Sequence, residues 1–370
     1  MLKHLTPAFA LLSLSSVAVA QVDIVLPTEM CRGYFLVPLV VSAQEGRPET
    51  EEGRTLWLIY DTGASVTHID PDSIARVANI DASDLSRINV TNASMGELAI
   101  NRLPARISNL DHLGVGLGRE IDGILGYTVF RDFLMMLDYE NGAIRLESGE
   151  LPRPDNQTIF NINGRDVRPW IRLDLPGRDR RILIDSGAAI TPLALNRLQR
   201  YPLTDEARAI GASIRFSHIE YRQGGRLEGD VGLGDFVFDS PLVEEVPGTE
   251  LLGGMMMRHF NWTFDQRNER VRIERIEGDG PIPMDAEIVH GLALRPEGSN
   301  VVIEDLLPGG RGEEVGLQRG DVLTHVNGQP FAERGCSEVS GEDVSSSITL
   351  TRVRDGETAD VELPLVTLVE

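Results

Sequence analysis

Leu58-Ile59-Tyr60-Asp61-Thr62-Gly63-Ala64-Ser65 decides the fold, because it returns in altered form as Ile182-Leu183-Ile184-Asp185-Ser186-Gly187-Ala188-Ala189. Each copy begins with a short apolar run that reads as a buried strand. It then stops at a carboxylate, a small hydroxyl residue, a glycine and an alanine. Two such turns set against each other bring two carboxylates together.

The repetition extends well beyond these words. Asp185 lies 124 positions after Asp61, while Gly253, Arg258-His259-Phe260 and Asp265 each lie 127 after Gly126, Arg131-Asp132-Phe133 and Asp138. Ordered matches that hold register to within three residues read as one duplicated unit. Between the copies, Ser148 to Asn156 carries two prolines and a glycine and reads as a linker.

The chemistry follows from the residue types. Two carboxyls about 3 Å apart cannot both ionise, so they share one proton. The ionised partner can act as a general base toward water, and the protonated one can polarise a carbonyl. Gly63 and Gly187 let the backbone turn sharply beneath each carboxylate. Thr62 and Ser186 are small enough to interlock across the two turns, each hydroxyl meeting the opposite backbone.

On these residues, roughly 22–277 resembles the aspartic peptidases of the retropepsin and pepsin clan. The resemblance implies Asp61 and Asp185 as the catalytic pair, with Thr62, Gly63, Ser186 and Gly187 supporting it. Ile124-Leu125-Gly126 and Leu251-Leu252-Gly253 would be the bracing segments, with Gly126 and Gly253 behind the two turns. The shared proton is established behaviour of such dyads and comes with the resemblance. Both halves lie on one chain as in pepsin, yet Asp-Thr-Gly-Ala-Ser looks more like the retroviral form. Pepsin-like sites commonly carry Ser or Thr where this chain has Ala64 and Ala188. Loss of a hydroxyl donor to the carboxylate predicts an optimum less acidic than pepsin's. The hairpins expected around Asn92 to Gly96 and Gly224-Gly225 are flap candidates, with ordinary hairpins the equal alternative.

After a second linker, Gly278 to Pro283, the pattern changes. Gly291-Leu292-Ala293-Leu294, Gly316-Leu317-Gln318-Arg319-Gly320-Asp321 and Val326-Asn327-Gly328 resemble a bacterial PDZ core over about 285–367. Such a domain would receive a peptide's C-terminal carboxylate on the amides of Leu292, Ala293 and Leu294, with the peptide added to a sheet edge. The stretch Ala332 to Ser347 has few apolar anchors for the helix that normally walls the groove, which leaves a docking role open.

The expected fold is mainly β: two pseudo-symmetric retropepsin-like lobes, then a PDZ-like β-barrel domain. The expected divisions are a signal peptide at 1–20, lobes at 21–150 and 151–277, a linker at 278–284 and a PDZ domain at 285–370. Lys3 and His4, the apolar stretch Ala8 to Leu14 and Ala18-Val19-Ala20 have the form of a secretory signal cut near Ala20. Periplasmic or secreted localisation follows. No later run is long enough to span a bilayer as a helix. The net charge of −22 argues against nucleic acid as a partner. Polypeptide substrate and, at the PDZ unit, a C-terminal peptide are the expected partners.

No metal or organic cofactor is expected: the seven histidines show no metal-ligand spacing. Cys31 and Cys336 are the two cysteines, and export permits a bridge without requiring one. The four Asn-x-Ser/Thr sequons are discounted. Asp122 and Asp138 read as turn or cap residues, and Met255-Met256-Met257 as packing. Pro71 to Ala78 reads as a helix capped by Asp70; Thr191 to Tyr201 reads as another. The resulting function is an exported aspartic endopeptidase. The alternative is a non-catalytic peptide-binding or adaptor protein on a peptidase-like scaffold.

Overall fold

Strand pairing repeats as the sequence does. Tyr34–Val41 pairs antiparallel with Thr55–Asp61, which runs parallel to Gly123–Gly126 with Asp61 opposite Gly126. In the second half, Trp170–Leu175 pairs antiparallel with Arg178–Ile184, which runs parallel to Leu251–Leu252. This computed structural model describes residues 22–369 apart from 45, 83, 111–112, 115–116, 215–218, 285–286, 334–335 and 337–345. The expected signal segment and most of Ala332 to Ser347 lie outside the described residues.

A third sheet joins the halves. Its strands run in the order Asp23–Val25, Ala143–Glu147, Leu134–Asp138, Phe260–Asp265, Arg270–Arg275, Ile159–Asn161. The central pair takes one strand from each lobe, with Trp262 opposite Leu137. Phe130, Phe260, Trp262 and Phe264 are fully buried beside it, and Tyr127 meets Phe264 edge-on at 5.7 Å. Each such side chain stabilises by about 1.5–3 kcal/mol through burial. That junction fixes how the two carboxylate turns face each other.

Local rules account for most connections. Pro71–Ala78 is a helix; the Asp70 carboxylate accepts from the Asp72 amide at 2.9 Å, and Asn79 closes the helix in the left-handed region. Asp138 accepts from Asn141 and Arg145 in the turn before Ala143–Glu147, as a turn residue should. Asp122 is buried and caps local groups, accepting from the Trp57 amide at 2.7 Å and pairing with Arg76. Met256 and Met257 are wholly buried packing residues.

Three local expectations are corrected. Thr191 to Tyr201 is not a helix: Leu193–Leu195 is a strand buried on both faces between Leu242–Glu245 and Leu251–Leu252. Sheet burial of three apolar residues outweighs helix propensity there, and Arg197 at φ +63° turns the chain into the short 3₁₀ segment Leu198–Arg200. Gly224-Gly225 forms no turn but lies within the strand Ile219–Arg226, where a side chain at Gly224 would strike Ile210. The first-lobe hairpin turns at Gly96-Glu97, later than expected, and Asn92 lies within the strand Arg87–Met95 at φ +54° with the register unbroken around it.

The C-terminal unit holds a six-stranded antiparallel sheet in the order Leu292–Glu297, Asn300–Leu306, Val322–Val326, Ser347–Arg354, Glu357–Pro364, with the short Gln329–Pro330 paired to Val322–Val326 off that path. The strands close over a separate core that includes Ile303, Leu317, Leu323, Phe331 and Leu363. The fold is thus mainly β, with two related lobes and a C-terminal β unit that has its own core. Among the described residues, no helix is long and apolar enough to cross a membrane.

Candidate active site

Asp61 ends the strand Thr55–Asp61 and Asp185 follows Arg178–Ile184, so the two lobes present them symmetrically. The parallel strand behind each turn sets its position. Asp61 lies opposite Gly126, and the Asp185 amide donates to the Leu252 carbonyl at 3.0 Å. The Tyr127 amide donates to the Ala64 carbonyl at 2.9 Å, and the Gly254 amide to the Ala188 carbonyl at 3.0 Å. A Cβ at Gly126 would lie 2.5 Å from the Val66 carbonyl carbon, and one at Gly253 2.2 Å from the Thr191 oxygen. Only glycine permits so close an approach.

Thr62 and Ser186 lock the turns together. The Thr62 hydroxyl donates to the Ile184 carbonyl at 2.8 Å and accepts from the Ser186 amide at 2.9 Å. The Ser186 hydroxyl donates to the Tyr60 carbonyl at 3.0 Å and accepts from the Thr62 amide at 3.1 Å. Both side chains are 0% exposed. All four bonds cross between lobes, so they hold one carboxylate relative to the other.

The two carboxyls lie within hydrogen-bonding reach of each other. A Cβ at Gly63 would sit 2.5 Å from the Asp185 carboxyl carbon, and one at Gly187 2.3 Å from that of Asp61. Each glycine is therefore needed by the opposite aspartate. Asp61 accepts from the amides of Gly63 at 2.6 Å and Ala64 at 3.1 Å. Burial raises its pKa, and bonds from Asp185 and from the Gly63, Ala64 and Gly187 amides oppose the rise. Asp185 is pushed up to about 8, first by burial and then by the Asp61 charge. Its Oδ1 is buried without a hydrogen-bond partner among the described residues. The pair can therefore hold one proton and one charge across neutral pH.

A pocket of about 210 Å³ opens beside Asp61 and Gly187. Ile59, Leu113, Leu117 and Ile124 make its apolar wall, Ile190 its exposed rim, and Arg32 and Tyr34 its polar side. Burial, then the charges of Asp185 and Asp61, push the Tyr34 hydroxyl up. Neither hairpin singled out from sequence lines this pocket. Leu113 and Leu117 cover it instead.

Sequence reasoning missed Tyr34, Arg32 and Arg168. The Arg168 guanidinium donates to the Gly63 carbonyl at 3.2 Å and to Asp166 at 2.7 Å. Strand register held the signal. Counting on from Leu36 opposite Ile59 places Tyr34 opposite Asp61, and counting back from Trp170 opposite Leu183 places Arg168 opposite Asp185.

The residues expected to receive a peptide terminus are differently engaged. Leu292 and Ala293 are buried, and the Leu292 amide donates to His290 Nδ1 at 3.0 Å. With Leu294 they belong to the edge strand Leu292–Glu297, paired on one side with Asn300–Leu306. Arg208–Ile214 of the second lobe, a strand of a different sheet, lies close to it. Among the described residues, no group of three His, Cys, Asp or Glu could hold a metal.

No protein-family model matches the chain, and no curated protein matches it. Two solved structures resemble parts of it. One is a PDZ domain protein from Parabacteroides distasonis ATCC 8503, 18% identical over 22% of this chain and 20% of that one, with a TM-score of 0.20. The chain thus spans about a fifth of that protein. The other is a retropepsin-like aspartic protease from Rickettsia conorii, 14% identical over 34% of this chain and 90% of that one, with a TM-score of 0.24. Scores this low leave the geometry above to carry the reading.

Proposed function

We propose that the chain is an aspartic endopeptidase with Asp61 and Asp185 as its shared-proton dyad. The observation that supports this most is the reciprocal Thr62–Ser186 lock, which holds two buried carboxyls together at an open apolar pocket. A pair of turns serving structure alone would not need buried carboxyls of raised pKa facing a cleft.

The ionised Asp61, steadied by backbone amides, takes a proton from water as the water oxygen adds to the scissile carbonyl carbon. Asp185 gives its proton to the carbonyl oxygen, forming a neutral gem-diol. Asp61 then passes its proton to the amide nitrogen as the carbon–nitrogen bond breaks. A diol hydroxyl returns a proton to Asp185, which restores the starting state. The PDZ-like unit would help select substrate, and the protein would act after export. The adaptor reading finds less support: Leu292–Glu297, the strand an adaptor would offer, lies close to Arg208–Ile214 of the second lobe.

The test is turnover of casein and of a peptide library between pH 3 and pH 8 by wild type, Asp61→Asn and Asp185→Asn. Each variant should lose about 10²–10⁴-fold in rate. Wild type that cleaves nothing at any pH, or variants that cleave as well as wild type, would end the reading.

A further inference from the structure

Cys31 and Cys336 form a disulfide that joins residues 305 apart, from the first lobe to the C-terminal unit. Its position matters more than its presence. Cys31 is wholly buried with Leu36, Ile59, Leu117 and Ile121, and Leu113 and Cys336 pack against this cluster. Ile59, Leu113 and Leu117 also line the pocket beside Asp61. They thus have the cleft on one side and the disulfide on the other. Arg119 lies over the Trp57 ring at 4.4 Å, bonds Glu29 at 2.5 Å and lies 3.7 Å from Cys336 Sγ. One residue past Cys31 the chain enters the cleft at Arg32, and Gly33 sits against Ala189 of the opposite turn.

The same unit also holds the second lobe. Tyr221 donates to Asp305, and the strand Arg208–Ile214 lies beside Leu292–Glu297. The C-terminal unit is therefore fastened on both sides of the cleft, covalently on one and by packing on the other.

We propose that the C-terminal unit is a working part of the substrate cleft: the Cys31–Cys336 bond positions the wall formed by Leu113, Leu117 and Tyr34, and breaking it weakens peptide binding while leaving the dyad intact. This rests on the peptidase reading. Cys31 and Cys336 are positioning residues, since the disulfide touches the wall and not the carboxyls. The Thr62–Ser186 lock shares no atom with it, so binding and chemistry separate when it is cut.

The test uses the full chain in three forms: oxidised wild type, wild type reduced with dithiothreitol, and Cys336→Ser. Reduction gives two electrons and two protons to the two sulfurs, and the reagent leaves as its cyclic disulfide. Steady-state kinetics on one cleaved peptide are measured beside hydrogen exchange at Leu117 to Ile121. Reduced wild type and Cys336→Ser should both show KM raised about 3–10-fold with kcat within about twofold. Exchange at Leu117 to Ile121 should quicken about tenfold or more, and Cys336→Ser should ignore the reductant. Unchanged KM and exchange, or a fall in kcat at constant KM, overturns the proposal. Faster exchange with no turnover by any form supports the hold on the wall and sinks the peptidase reading instead.

Discussion

Thr62→Ala tests the lock directly. The hydroxyl it removes accepts from the Ser186 amide at 2.9 Å and donates to the Ile184 carbonyl at 2.8 Å, both buried. Neither backbone group has water to turn to, and each orphaned group costs about 1–3 kcal/mol. The total is about 2–6 kcal/mol. At about 2–4 °C per kcal/mol for a unit of this size, the midpoint should fall by on the order of 10 °C. Thr62→Ser keeps the hydroxyl, drops a methyl and should lose about 1 kcal/mol. Ser186→Ala removes the mirror pair of bonds, to the Thr62 amide and the Tyr60 carbonyl, and should cost a similar amount. In the double variant the losses should fall short of additive, because the two residues share one network. Calorimetry on wild type and the four variants gives the stabilities, and peptide turnover below each midpoint gives the rates. A Thr62→Ala protein within about 0.5 kcal/mol of wild type, a surface-like value, would mean that the lock adds nothing to the alignment that the interlobe sheet already gives.

Three further outcomes follow from the site. Gly187→Ala places a Cβ 2.3 Å from the Asp61 carboxyl carbon, so the dyad must shift and turnover should fall by at least about 100-fold; activity within tenfold of wild type would contradict the packing. Asp185, raised to about 8 when folded, binds its proton more tightly in the native than in the unfolded chain. Its contribution to stability is therefore full below the ordinary carboxylate range and is lost as pH rises toward 8. Denaturation across pH 4–8 should show wild type losing stability relative to Asp185→Asn, and parallel curves would refute the shift. Ala188→Ser adds a hydroxyl next to the Asp185 turn, and a donor to the carboxylate should move the pH–rate profile toward acid by up to about one unit; a profile that stays put or moves toward alkali would mean that no such bond forms.

The paired carboxyls were legible because duplication leaves a spacing that can be counted, and register follows the count. Pro71–Ala78 was legible because its cap, its proline and its end are all local signals. Leu193–Leu195 was not, since three buried apolar residues have no period and their partners lie about fifty residues downstream. Gly224-Gly225 carried a turn signal that sheet pairing overrode, the glycines making room for Ile210 and Leu203 instead. The Cys31–Cys336 bond joins two separately folded units, and no sequence pattern fixes that distance. Tyr34 and Arg168 could have been placed by counting ladder positions back from the aspartates. They went unnoticed because a tyrosine at the head of an apolar strand, and an arginine in a charged loop, resemble ordinary surface residues.

A symmetric scaffold still has to produce an asymmetric proton, and the local contacts supply the difference. At Asp61 the amides of its own turn and that of Gly187 from the opposite one oppose the rise that burial causes, whereas at Asp185 the opposing amides are those of Gly187 and Ala188 in its own turn. Asp185 Oδ1, buried and unpartnered among the described residues, is the oxygen for which ionisation is most expensive. These contacts favour the proton on Asp185 and the charge on Asp61, within a pair that titrates as one unit. The pocket opens beside Asp61, so on the proposed reading the base would face the space for a peptide and its attacking water. Arg168 strengthens the bias by donating to the carbonyl of Gly63, which shares its peptide unit with the Ala64 amide that serves Asp61. Polarising that peptide unit from one side makes its N–H a better donor on the other. The duplication thus brings the carboxyls together, and the departures from it give them unlike surroundings, which is what unequal roles in the proposed reaction would need.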